Sequence, residues 1–137
     1  TKSVVPLDWD QRHTLNVNLN VGVPGDWTVG MIFQYGSGQP YTEDPRISQG
    51  VRFENGGIKP TYYNVDLRAE KTFDIEGFSI NTYLMVYNLF DIRNVDLNSN
   101  YYEQSDIVGL NTIPEYVNNP GMYSSPREIR LGLGFGF

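Results

Sequence analysis

Apolar and polar residues alternate one for one in five stretches of this chain, the period of an extended strand with unlike faces. In "TLNVNLNVGV", Leu15, Val17, Leu19, Val21 and Val23 share one side, and Thr14, Asn16, Asn18, Asn20 and Gly22 share the other. In "WTVGMIFQYG", Trp27, Val29, Met31, Phe33 and Tyr35 oppose Thr28, Gly30, Ile32, Gln34 and Gly36. "YYNVDLRAEKTF" sets Tyr63, Val65, Leu67, Ala69 and Phe73 against Asn64, Asp66, Arg68, Glu70 and Thr72. "FSINTYLMVYNLF" sets Phe78, Ile80, Thr82, Leu84 and Val86 against Ser79, Asn81, Tyr83, Met85 and Tyr87. The last stretch opposes Ile129, Leu131, Leu133, Phe135 and Phe137 to Glu128, Arg130 and three glycines. The pattern predicts about five antiparallel strands at 12–23, 27–36, 62–73, 78–90 and 127–137.

The connections differ in kind. "PGD" (24–26) and "DIEG" (74–77) are tight-turn sequences, because proline presets φ and glycine permits positive φ. The segments 37–61 and 91–126 are long. In an up-and-down arrangement the short turns therefore gather at one end and the long loops at the other. Aromatic residues on the apolar side cluster at strand ends. Trp27, Phe73, Phe78 and Phe137 stand beside the short turns, and Tyr35 and Tyr63 beside the long loops. At a tilt of about 40°, Tyr63 and Phe73 stand roughly 25 Å apart along the membrane normal, the height of an outer-membrane barrel's apolar band. Rings suit that level because one edge meets hydrocarbon and the other water. A soluble sheet with one buried face gives the same alternation, and soluble sandwiches also gather loops at one end.

Composition narrows the choice. The 137 residues hold 14 glycines and 10 tyrosines, which with scarce alanine favours strands over helices. No stretch approaches the roughly 20 apolar residues of a transmembrane helix. A net charge of −6 argues against a nucleic-acid partner, which needs a basic face. Without cysteine, neither disulfides nor thiolate metal sites are available. "TKSVVPLDWD" has no charged region followed by an apolar core, so the reading places any export leader outside these residues.

Several segments together carry a family resemblance: "DQRHTLN" (10–16), "YGSGQPYT" (35–42), "YYNVDLRAEKTF" (62–73), "VYNLFDIRN" (86–94) and "PREIRLGLGFGF" (126–137). They resemble the final strands of TonB-dependent outer-membrane receptors. The most specific piece is Asn88-Leu89-Phe90, followed by a long loop and a Pro-Arg-led last strand. The resemblance implies an all-β fold of antiparallel up-and-down transmembrane strands, the C-terminal part of a barrel of about 22 strands. It implies uptake of a nutrient across the outer membrane of a Gram-negative-type cell, with long loops outside and the C-terminus periplasmic. It also implies that Leu131, Leu133, Phe135 and Phe137 form a signal read by the barrel-assembly machinery. The implied partners are outer-membrane lipid, the N-terminal strands and plug of the same protein, and TonB through that missing part. Five strands fall short of the about 8 of the smallest single-chain outer-membrane barrels, and an open ribbon leaves unpaired edges in lipid. The expectation is therefore a C-terminal fragment of a longer protein.

Catalytic chemistry finds little to work with, and the reading is of a protein that is no enzyme and holds no cofactor. His13 is the only histidine, so a His-clustered metal site or a His-based dyad is ruled out, and no metal site is expected. Asp66 and Glu70 share a face at roughly 13 Å, beyond the spacing of glycosidase carboxylate pairs. With Arg68 between them, and with Glu128 and Arg130 on the last strand, they read as a charge ladder on the lumenal side, gripping a plug by polar contacts. "YGSGQPYT" lacks the lysine and following helix of a phosphate-binding loop, and neither "DWDQ" nor "DLNSNYYEQSD" has EF-hand spacing. Tyr101, Tyr102, Tyr116 and Tyr123 in the last loop are candidates for ligand contact, since tyrosine offers a flat apolar face with a polar tip. Packing of that loop on itself is the other account of them. Two further functions stay open: an outer-membrane surface-binding or structural barrel without uptake, and a soluble β-sandwich binding module.

Overall fold

A computed structural model describes residues 4–7, 9–41, 54–95 and 123–137. Its elements are all strands: β1 (Thr14–Val23), β2 (Trp27–Gly36), β3 (Pro40–Tyr41), β4 (Gly57–Ile58), β5 (Tyr62–Ile75), β6 (Phe78–Tyr87) and β7 (Glu128–Gly136). The chain divides into two compact units. One takes 15–35, 63–92 and 125–137, and the other takes the described residues of 1–14, 36–62 and 93–124.

The first unit is built on a five-stranded sheet of order β1-β2-β5-β6-β7. Neighbours in the chain are neighbours in the sheet. The register of β5 on β6 runs from Leu67 opposite Val86 to Ile75 opposite Phe78, and β6 on β7 from Ser79 opposite Gly136 to Tyr87 opposite Glu128. Side chains directly opposite share a face, so Phe73, Ile80 and Phe135 form one apolar row and Ala69, Leu84 and Leu131 another. The period-2 pattern thus survives into three dimensions.

Both short turns take the backbone their residues prescribe. The Asp26 amide donates to the Val23 carbonyl at 3.0 Å, with Pro24 and Gly25 (φ 82°) at the two central positions, as in a type II turn. Between β5 and β6 the corner is Glu76 (φ 43°) and Gly77 (φ 86°), the double positive φ of a type I′ hairpin. The Thr72 amide donates to the Asp26 carbonyl at 2.7 Å, so the β5–β6 hairpin runs past the β1–β2 turn. The strands are staggered, as tilted strands are.

The expected boundaries need four corrections. β5 continues to Ile75, two residues further, because the turn is two residues long rather than four. β6 ends at Tyr87 rather than at residue 90, because Asn88 has φ 49° and the chain turns there. β1 starts at Thr14, not at 12, because the His13 amide turns to the Ser37 hydroxyl rather than to a backbone carbonyl. β7 spans Glu128–Gly136, one residue shorter than expected at each end.

In the second unit the segment read as an open loop contains the β3–β4 ladder, Pro40 opposite Ile58 and Tyr41 opposite Gly57. The Lys59 amide donates to the Gln39 carbonyl at 2.8 Å. Asn55 (φ 54°) is buried and donates through Nδ2 to the Pro6 carbonyl at 2.8 Å. Val95 bridges Tyr123 in antiparallel fashion, and the Ser124 amide donates to the Asn94 carbonyl at 2.7 Å.

Candidate functional site

The sheet unit presents two faces of opposite chemistry. Among the described residues the buried hydrophobics are Val65, Val86 and Val95, and no large side chain is fully buried. On the apolar face Leu15 is 51% exposed, Leu19 52% and Leu131 80%. Val21, Val23, Phe73, Ile129, Leu133 and Phe135 are exposed as well, while Val65 and Val86 are the buried exceptions. Leu15 and Leu131 stand open, and Leu67 between them in the strand order is half-buried. Phe78 and Phe135 stack with ring centroids 5.9 Å apart, joining β6 to β7 at the short-turn end.

One cation interrupts this face. Lys71 stands opposite Thr82, which in turn stands opposite Leu133. Its ammonium pairs with Asp26 in the β1–β2 turn and lies 5.6 Å from the centroid of the Phe73 ring. The alternation passes over Lys71 because a charge on an apolar side has no place in a binary pattern. The signal that could have found it is its position, two residues before Phe73 on the same face. The Thr82 hydroxyl, also on this face, donates to the Lys71 carbonyl at 3.0 Å, so it needs no water.

The polar face is a set of short-range pairs. Arg68 binds Glu70, with Nε to Oε1 at 3.0 Å, and Arg130 binds Glu128 at 2.5 Å. The Arg130 guanidinium also lies 5.0 Å from the centroid of the Tyr87 ring. Asn20 donates to Asn18 at 2.8 Å. Asp66 stands apart from the ladder expected of it: its Oδ1 accepts the Asn88 amide at 2.9 Å and Asn64 Nδ2 at 2.9 Å. The charged residues of this face thus form one ion pair on β5 and one on β7. Tyr83 lies over Gly132, and a Cβ there would collide with the phenol ring; at Gly136 a Cβ would meet Ser79 Oγ at 2.5 Å. Gly134 has more room, since the nearest neighbour of an added Cβ would be Asn81 Cβ at 3.8 Å.

Asn88 closes the unit at the far end of β6. Its Nδ2 donates to the carbonyls of Ile92 (3.0 Å) and Ser125 (3.1 Å), and its Oδ1 accepts the Ile92 amide at 2.8 Å. The Leu89 amide donates to the Val65 carbonyl at 2.8 Å. Asp91 (φ 54°) accepts the Arg127 amide at 2.9 Å just before β7. The Asn-Leu-Phe segment is thus a corner that fixes β5, β6 and the entry to β7 relative to one another, a role the sequence reading did not give it.

The remaining sequence candidates divide. Leu131, Leu133, Phe135 and Phe137 all project into solvent, Phe137 at 105% relative exposure. Tyr123 is half-buried at the Val95 bridge. Tyr101, Tyr102 and Tyr116 lie outside the described residues. Among the described residues no group of three or more His, Cys, Asp or Glu side chains could hold a metal ion. Among the described residues no helix is long and apolar enough to cross a membrane, which says nothing of strands. Compared with known proteins, the chain matches no protein-family model, no curated protein and no solved structure. The geometry of the sheet therefore carries the functional reading.

Proposed function

We propose that this chain supplies strands of an outer-membrane β-barrel, the barrel part of a TonB-dependent receptor that takes up a nutrient. The apolar face of the sheet meets acyl chains and the polar face looks into the lumen. One observation carries the barrel half of this reading: the sheet leaves its apolar face open, Leu131 at 80% and Leu133 at 67% exposure. At roughly 1 kcal/mol for each half-exposed aliphatic or aromatic side chain, the exposed row is comparable to the about 5–15 kcal/mol that holds a whole domain together. A face that costly in water needs a cover, and hydrocarbon covers it without a second sheet. The outer edges of β1 and β7 end the strand order; backbone groups there need partners in lipid, and further strands of the same protein provide them.

The uptake half rests on the resemblance of the strand segments to TonB-dependent receptors, with the polar face and its two ion pairs turned toward a plug. Selectivity then belongs to the loops and plug, and no chemical step is asked of the sheet. Membrane fractionation tests the barrel: the protein is expected in the outer-membrane fraction, resistant to urea extraction, with faster gel migration before heating. A monodisperse protein in the soluble fraction without detergent overturns it. Growth on a panel of scarce nutrients tests uptake, since deleting this protein and deleting TonB should abolish the same growth. A folded barrel whose loss changes no uptake leaves the surface-binding alternative.

A further inference from the structure

Resting on the barrel reading, a second feature of the apolar face has its own chemistry. Trp27 and Val29 on one side and Leu131 and Leu133 on the other border a trough of about 730 Å³ whose floor includes Ala69 and Thr82. Small residues between bulky ones leave a channel, and the Thr82 hydroxyl in its floor is turned to the backbone of Lys71. The Lys71 side chain lines the trough and sends its ammonium to Asp26 and the Phe73 ring, toward the short-turn end. A lysine stem on grease with its head at the rim is how such a side chain reaches the interface of a membrane.

We infer that this trough holds one acyl chain of a phospholipid whose head group carries a phosphate and a primary ammonium, as in phosphatidylethanolamine. Charge at the rim selects that head group. Lys71 has three donors and its partner Asp26 several acceptor sites; the two side chains use only part of that capacity on each other and both stay partly exposed. A phosphate oxygen can accept from the remaining ammonium protons while the lipid's own ammonium donates to the Asp26 carboxylate. Both charges then have two partners. A purely anionic head group would satisfy Lys71 and face Asp26 with like charge.

Native mass spectrometry of the protein, extracted from membranes in mild detergent, tests this with phosphatidylethanolamine and phosphatidylglycerol added in equal amounts. The wild type should retain the ethanolamine lipid preferentially. Lys71→Met should reduce that preference by about threefold, the scale of one exposed ion pair. Asp26→Asn, which keeps the turn, should shift retention toward phosphatidylglycerol. Heat-dependent gel migration establishes that each variant is a folded barrel. Folded variants that keep the wild-type lipid pattern overturn the site and leave Lys71 and Asp26 as an internal ion pair only. A wild type that never enters the membrane overturns the barrel reading instead, a result separable from the first.

Discussion

The two ends of β6 are turned by opposite means. At the Phe78 end the chain reverses over Glu76 and Gly77, and the corner is specified by two local dihedral angles. At the Tyr87 end it reverses over Asn88 to Asp91, and the corner is specified by partners from 22 and 37 residues away, Asp66 and Ser125. Both corners use positive φ at a non-glycine residue. The difference is in what compensates the strain: an adjacent glycine at one, a buried hydrogen-bonded side chain at the other. A local corner can form in any hairpin, whereas the remote one can close only after β5, β6 and the entry to β7 have met. The Asn88 corner therefore sets the register of three strands together, and the Glu76 corner that of two.

Breaking the remote corner should have the largest effect. Asn88→Ala removes the side chain that serves Ile92 and Ser125 and leaves three part-buried hydrogen bonds unmade, a loss of about 2–4 kcal/mol. Urea unfolding measures it. Asn88→Gly separates the two contributions, since glycine tolerates φ 49° but has no amide. If Asn88→Gly were as stable as the wild type, the corner would be a matter of dihedral angle, and the contrast between the two ends of β6 would vanish. Next in size is Asp66→Ala, about 1–3 kcal/mol, because the buried Asn88 amide loses its acceptor. Asp66→Asn should recover part of this, since an amide oxygen still accepts from the backbone; no recovery would mean that the charge of Asp66, rather than its hydrogen bond, holds the corner.

This contrast also explains what could be read from the chain alone. Strands β1 and β2, the split of faces, and the places of both short turns follow from period-2 alternation and from Pro-Gly and Glu-Gly pairs, all of which are local. The end of β6 is not legible locally, because Leu89 and Phe90 are apolar and nothing adjacent reveals that the Asn88 side chain donates to the Ser125 carbonyl. The Asp66 contact with the Asn88 amide is equally hidden, because that partner lies 22 residues away while Arg68 and Asn64 are its neighbours in sequence. Lys71 escapes a binary pattern because its charge sits on the apolar side and is met by Asp26, 45 residues away in the chain. The β3–β4 ladder, two residues on each side, is too short for any periodicity to register.

The local corner should respond more weakly, and in either direction. Gly77→Ala puts a Cβ at φ 86° where no neighbouring atom lies within 4 Å, so only backbone strain opposes it, about 1–2 kcal/mol. Glu76→Asn should do the reverse. Asparagine followed by glycine is the favoured pair for a type I′ corner because its short side chain tolerates the left-handed region. The native glutamate holds φ 43° without that advantage. A gain of about 0.5–1 kcal/mol is expected, seen as a higher urea midpoint with an unchanged slope. The double variant Glu76→Asn with Asn88→Ala then sharpens the comparison. The corners sit at opposite ends of one strand, far beyond the range at which mutational effects couple, so gain and loss should add. If the gain disappeared when Asn88 is lost, the hairpin would depend on the remote corner for its own register, and the two reversals would belong to one cooperative device.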